Sequence, residues 1–235
     1  MYTTEGRVRF SECSAKGRLS VGGLIDYFQD TSTFHAEDVG MGQEHLRQND
    51  RAWIINYWQV EIDTLPKLGE KIRVETWPYM FRKFIGNRNY VLKDEAGQVC
   101  ARADSIWALY DMKKGFPASM TKEELEAFEI EPRLDMEELS RKIKVAADFS
   151  LVDRVIVGRD RLDTNIHVNN GQYIKLGCNY VPEDRDLSRV RVEYNTSIKL
   201  GDEVSVLTCE KDGLFYVRFD DAEGNEYSIL EFGFK

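Results

Sequence analysis

The 235-residue sequence predicts an α+β fold built from two fused units, each a helix laid on an antiparallel sheet. Three observations predict it. Two stretches repeat at an offset of 132 residues, Val60 against Val192. A single helical pattern stands near the start of each half, and several strand patterns follow each helix with no second long helix among them. The repeat reads Val60-Glu61-Ile62, then Lys67-Leu68-Gly69-Glu70, then the alternating run Ile72 to Thr76. Its second copy reads Val192-Glu193-Tyr194, then Lys199-Leu200-Gly201-Asp202, then Val204 to Thr208. In both, a glycine turn with an acidic residue after it joins two runs rich in β-formers. Similarity at one large offset marks a duplicated unit.

The elements follow in order. A short strand is expected over residues 7–10. A helix is expected over residues 20–39, with Leu24, Ile25, Phe28 and Phe34 as its apolar stripe. After the first repeat copy, Asp94-Glu95-Ala96-Gly97 reads as a hairpin turn, matched later by Asp220-Asp221-Ala222-Glu223-Gly224. Residues 121–144 are charged and helix-forming and read as a linker packed on the surface. The second half opens with a strand over residues 154–157. Its helix runs over residues 170–180, capped by Asn169 or Asn170 and stopped by Pro182, with Tyr173, Ile174, Leu176 and Tyr180 as its apolar residues. The order strand, loop, helix, several strands is the hotdog pattern, so the expectation is a double hotdog. The expected boundaries are 1–120, a linker over 121–147, and 148–235.

Composition narrows the function. A net charge of −9 argues against nucleic acid as a partner, which calls for a basic face. No apolar run approaches the ~20 residues of a membrane span, and residues 1–10 carry no apolar core of a signal peptide, so the expected location is cytoplasmic. Cys13, Cys100, Cys178 and Cys209 are scattered, without metal-ligand spacing, and read as reduced thiols; neither metal nor cofactor is expected.

The chemistry is expected at the start of the second helix, in Arg161-Leu162-Asp163-Thr164-Asn165-Ile166-His167-Val168-Asn169-Asn170. If extended, Asp163, Asn165 and His167 share one face. The helix end behind them supplies N–H groups and a positive dipole. Hydrolysis of a thioester needs a base to activate water and fixed donors for the carbonyl oxygen. Asp163 or His167 can take the proton; Asn165, His167 or a helix N–H can hold the carbonyl. The same residues can also serve only to make turns and cap the helix. His35 and His45 read as structural. The matching loop of the first copy, residues 15–20, lacks the polar triplet, so one working site per chain is expected.

On these residues the chain resembles the plant and bacterial acyl-acyl-carrier-protein thioesterases over almost its whole length. Residues 162–170 are similar to that family's DxNxHVNN signature. Trp53-Ile54-Ile55, Gly69 to Trp77 and Arg102 to Leu109 resemble further family segments. The resemblance implies a double hotdog that releases free fatty acids from an acyl carrier protein. It implies catalytic roles for Asp163, Asn165 and His167, and an acyl chain held mainly by the N-terminal half, where Trp53, Trp58, Trp77 and Trp107 lie. In the plant enzymes the strand resembling Val192-Glu193-Tyr194 continues into a Glu-Cys pair; here Ser197 and Ile198 stand in those places. Ser197 is counted with the site as a hydroxyl able to orient a water, and not as a base.

Two rival readings are an acyl-CoA thioesterase of the hotdog superfamily and a non-catalytic acyl-binding module. Because carrier proteins are acidic, attraction to this acidic chain has to be local. Arg82, Lys83 and Arg88, or Arg141, Lys142 and Lys144, are the candidate basic groups. The fused chain permits a monomer or a homodimer.

Overall fold

The computed structural model describes residues 1–163 and 167–235. Its contacts divide the chain into two units, Met1–Asn56 with Ile62–Glu137, and Tyr57–Glu61 with Glu138–Lys235. The first contains β1 (Tyr2–Arg7), α1 (Val21–Asp38), α2 (Gln43–Gln48), the ends of β2 (Arg51–Ile62), β3 (Lys71–Arg82), β4 (Ile85–Asp94), β5 (Val99–Asp111), β6 (Phe116–Pro117) and α3 (Lys122–Glu126). The second contains β7 (Ser150–Ile156), α4 (Asn170–Cys178), β8 (Leu187–Tyr194), β9 (Glu203–Lys211), β10 (Leu214–Asp220) and β11 (Glu226–Phe234).

The strand orders are the same. In the first unit the order is β1-β3-β4-β5-β2, and in the second it is β7-β9-β10-β11-β8, with Tyr57–Glu61 pairing antiparallel to β8. The turns repeat too. Gly69 (φ 83°) and Gly201 (φ 85°) take left-handed conformations that cost glycine little. Beside them, the Lys67 N–H donates to Glu70 Oε2 and the Lys199 N–H to Asp202 Oδ2, both at 2.8 Å. The acidic residue after each glycine is thus what closes the turn.

Ahead of each helix the likeness runs at a different offset, 149 residues, Val8 against Val157. Ser14 N–H donates to Arg18 O at 2.8 Å, and Asp163 N–H to His167 O at 2.8 Å; Ser20 N–H reaches Glu12 O at 2.8 Å, and Asn169 N–H reaches Arg161 O at 2.9 Å. Isolated bridges Cys13–Leu19 and Leu162–Val168 complete the match. The two loops therefore have equal length, and the first unit carries 17 more residues between its loop and its glycine turn. Most of them fall in the longer α1 and in α2.

Each helix buries one face on its sheet. Leu24, Ile25 and Phe28 of α1 are fully buried, each stabilising by roughly 1.5–3 kcal/mol. Phe34, placed on that stripe by the sequence, is 51% exposed: the stripe turns away from the sheet before it. In α4, Tyr173, Ile174 and Leu176 are buried, and a Cβ on Gly177 would stand 2.7 Å from Leu230 Cδ2. The absent side chain lets α4 lie close on β11. The first strand stops at Arg7, because Phe10–Glu12 turns into a short 3-10 helix under the Glu12 side chain, which accepts from Arg9 N–H at 2.8 Å.

Residues 137–142, expected to be helical, are irregular. Their backbone is taken by side chains of the sheet: Arg191 donates to Ser140 O, and Ile143 N–H donates to Glu193 Oε2 at 2.9 Å. Glu193 also pairs with Lys142, and Arg191 Nη1 donates to both carboxylate oxygens of Glu231, at 3.0 and 2.9 Å. Ile143 then packs on Tyr216 and Ile229. In the first unit the same device holds residues 131–134, where Trp77 Nε1 donates to Pro132 O at 2.9 Å and Leu134 N–H donates to Asn89 Oδ1 at 2.8 Å. A helix would consume these backbone groups internally.

The N-terminal unit also buries His35, stacked on Tyr2 with ring centroids 4.9 Å apart and its Nδ1 3.0 Å from Arg88 Nη1. Burial, and then the Arg88 charge, pull its pKa from 6.5 to about 4, with Asp38 acting weakly against them. The folded chain thus resists a proton that the unfolded chain accepts. Stability is complete above about pH 6.5 and falls as pH drops toward 4. Urea unfolding across that window is expected to show this slope, and His35→Gln is expected to reduce it; an unchanged slope would assign it to other groups.

Candidate functional site

The hairpin that precedes α4 is built by its own backbone. Leu162 bridges Val168, and Asp163 N–H and His167 O close the pair at 2.8 Å. The Asp163 side chain folds back so that Oδ1 accepts the His167 N–H at 3.2 Å. Asp163 and His167 are therefore brought together at the hairpin's neck, both partly exposed. Asn165 lies outside the described residues. Asn169 is the cap: its Oδ1 accepts from Gly171 N–H at 2.8 Å, and its carbonyl accepts from Gln172 N–H at 2.8 Å. Both amides are thereby spent. The sequence offered a helix N–H as a carbonyl donor; those of Gly171 and Gln172 are not available for that role.

Ser197 lies in the loop after β8 and is exposed. The loop is fixed on both sides of it. Asn195 and Thr196 N–H both donate to Tyr227 O at 2.9 and 3.1 Å, and Ile198 N–H donates to the Tyr173 hydroxyl at 2.9 Å. Ile198, which the sequence excludes from proton transfer, is 2% exposed and anchors the loop.

Two residues not singled out for the site tie these parts together. Tyr194, the last residue of β8, donates its hydroxyl to Asn170 O at 3.0 Å, on the first residue of α4. Tyr173, one turn further along, receives Ile198. Their rings meet edge-on at 5.2 Å. Burial pushes the Tyr173 phenol up to about 12; the Ile198 N–H acts in the opposite direction, while Asp202 and Asp163 raise it further. Burial raises Tyr194 well above the ordinary phenol value, and its neighbour Tyr173 adds to this. Both stay protonated at neutral pH and act as hydrogen-bonding struts, not as bases. A tyrosine following Val-Glu at the end of a repeat strand was the available signal, since the first copy has isoleucine there, Ile62.

The other histidines are elsewhere. His45 lies 3.3 Å from Glu124, which also binds Arg51. No cluster of three or more His, Cys, Asp or Glu able to hold a metal occurs among the described residues, and all four cysteines are free thiols. No helix among the described residues is long and apolar enough to cross a membrane.

These features define an α+β protein in which Asp163 and His167 are paired through the His167 backbone across a short hairpin just before a helix N-terminus. Residues 1–128 match the Acyl-ACP thioesterase N-terminal domain, and residues 147–231 match the Acyl-ACP thioesterase C-terminal domain. The chain belongs to the acyl-ACP thioesterase family. It is 26% identical over 212 residues to a chloroplastic palmitoyl-acyl carrier protein thioesterase of Gossypium hirsutum, covering 83% of this chain and 51% of that protein. It is 25% identical over 229 residues to oleoyl-acyl carrier protein thioesterase 1, chloroplastic, of Arabidopsis thaliana, covering 88% of this chain and 63% of that protein. The chain spans about half the length of most curated relatives it matches. Its fold is shared with an acyl-ACP thioesterase of Bacteroides thetaiotaomicron (TM-score 0.90, 24% identity, 99% of this chain and 97% of that one). It is shared also with the 12:0-ACP thioesterase of Umbellularia californica (TM-score 0.84, 20% identity, 100% and 96%).

Tyr194→Phe removes the strut to Asn170 while keeping the ring. Loss of that hydrogen bond is expected to cost about 0.5–1.5 kcal/mol of stability, since the Asn170 carbonyl keeps its place in the helix. Denaturant unfolding of the variant checks this; a cost above about 3 kcal/mol would mean the hydroxyl holds more than α4.

Proposed function

We propose that this chain hydrolyses the thioester between a fatty acyl group and acyl carrier protein, giving free fatty acid and carrier thiol in fatty acid biosynthesis. The observation that carries the reading is the Asp163–His167 neck before α4, in a chain of this family. The shared strand order of the two units supports a double hotdog. In this reading, which follows the family resemblance, the acyl chain is held mainly by the N-terminal half. Trp58, one of the aromatics considered for that half, is fully buried in the stretch Tyr57–Glu61 that groups with the second unit. Four free thiols fit a reducing compartment, and a cytoplasmic location is our reading, although the plant relatives named above are chloroplastic.

In this mechanism Asp163 accepts a proton from water, and the resulting hydroxide attacks the thioester carbonyl. His167 and Asn165 orient the water and hold the oxygen as charge develops on it. The tetrahedral species collapses, the C–S bond breaks, and the proton held by Asp163 passes to the departing thiolate. The carboxylate is regenerated and no acyl-enzyme forms. Ser197, exposed on an anchored loop with no base assigned to it, orients water only.

Asp163→Asn, Asn165→Ala and His167→Ala are expected to lower turnover by about 10²–10⁴ with little change in melting temperature. Ser197→Ala is expected to cost about 0.5–1.5 kcal/mol, one hydrogen bond's worth. Near-normal activity in the first three would refute the site. An acyl adduct on Ser197 in mass spectrometry would replace this mechanism with a serine nucleophile.

A further inference from the structure

The duplicated loop has a second use. In the first unit, Ser14, Lys16 and Arg18 occupy the positions of Asp163, Asn165 and His167 in a loop of the same length and, where described, the same backbone bonds. The first copy has exchanged a carboxylate, an amide and an imidazole for a hydroxyl and two cations. Around it, residues 7–20 and 66–70 carry Arg7, Arg9, Lys16, Arg18 and Lys67 against only Glu12 and Glu70. The equivalent stretches of the second unit, 156–169 and 198–202, carry three positive and three negative residues. A local charge of +3 in a chain of net −9 is therefore specific to the first copy.

Two large apolar side chains stand in that basic surface. Phe10 is 84% exposed, the most exposed large hydrophobic residue of the described chain, and Leu68 is 48% exposed. Both lie on backbone that is firmly held. Leu68 N–H donates to Gly17 O at 3.0 Å, Gly69 N–H to Val8 O at 2.9 Å, and Val8 N–H to Glu70 O at 3.0 Å. Arg18 bridges Lys67, and its guanidinium donates to Leu65 O at 2.7 Å. The three segments thus form one preorganised surface, which lowers the ordering cost of binding. An aromatic anchor within a cationic rim suits an acidic protein with an apolar contact of its own. The basic groups that the sequence offered for this task fit less well: Arg88 is buried, and Lys142 is held by Glu193.

We propose that this surface of the first unit docks the acidic carrier protein that bears the acyl thioester. The proposal rests on the function proposed above. A lipid bilayer is the weaker fit, because an anionic membrane would repel the rest of a chain of this charge.

The test uses the full chain with Arg9→Glu/Lys67→Glu, and separately Phe10→Ala. All three side chains are exposed and outside the proposed catalytic set. Turnover is compared on an acyl carrier protein thioester and on the same acyl chain attached to N-acetylcysteamine, which is neutral and carries no protein. The expected result is a KM for the carrier substrate raised about tenfold or more, kcat unchanged, the small thioester unaffected, and a loss of the salt dependence that the parent shows. Equal losses on both substrates, or no loss on the carrier, would overturn the proposal. So would an unmoved carrier KM together with lost binding to phosphatidylglycerol vesicles, or with a dimer turned monomer in sedimentation. If the parent chain hydrolyses neither substrate, the proposed function fails. Titration with holo carrier protein then decides the surface by itself: binding weakened by the charge reversal supports it, and absence of binding to the parent overturns it.

Discussion

The second unit depends on how the first turn of α4 is held. A helix start leaves unsatisfied N–H groups and a free approach angle, and both have to be fixed before any residue ahead of it has a defined place. Here the Asn169 side chain closes one amide, the Leu162–Val168 bridge fixes the entering chain, and the Tyr194 phenol takes hold of the Asn170 carbonyl. Gly177 lets the far end of the same short helix settle on Leu230 and Phe232. A nine-residue helix is too short to be stable by propensity alone, so these contacts decide both whether it forms and where it points.

The other face of each sheet solves a different problem. A long connection without regular structure exposes peptide groups that have to be satisfied if it is to lie flat on a sheet. The sheets present Arg191 and Glu193 in one unit, and Asn89 and Trp77 in the other, at positions where the strand alternation turns side chains away from the helix. Each donates to or accepts from the peptide backbone of the connection. The buried Arg191–Glu231 pair gains its acceptors this way; without the Ser140 carbonyl and the Tyr57 hydroxyl, its remaining donors would lack those partners.

These two devices explain what was legible in the sequence. The repeat, the glycine turns and the helix starts are local signals, and they could be read from Lys-Leu-Gly followed by an acid, and from Asn169 before an apolar run. The irregular path of residues 137–142 was not legible, because Glu137 to Lys142 has good helix formers and the competing partners, Arg191 and Glu193, lie some fifty residues away. Phe34 was misplaced for a related reason: periodicity says which residues share a face but not where the sheet beneath that face ends. At the site, the spacing placed Asp163 and His167 on one face of an extended segment, whereas the chain folds back and pairs them across a hairpin. The struts Tyr173 and Tyr194 were not legible, since a buried phenol reads as core until its hydroxyl is seen to bond.

The two offsets, 149 ahead of the helix and 132 after it, also bear on how the copies diverged. Insertions in the first unit fall between loop and turn, mostly in α1 and α2, and leave the backbone of both loops intact. Conserved hydrogen bonding with changed side chains is what a loop shows when its shape is needed by the helix behind it and its chemistry is free to vary. Ser20 and Asn169 both cap, and Ser14 and Asp163 both close their hairpins through main-chain atoms. The constraint therefore lies in the backbone, and the side chains at the other positions were open to a second role. An imidazole and a carboxylate suit one copy to proton transfer. Two cations beside an exposed phenylalanine suit the other to recognition, so a single duplicated scaffold accounts for both the proposed chemistry and the proposed docking.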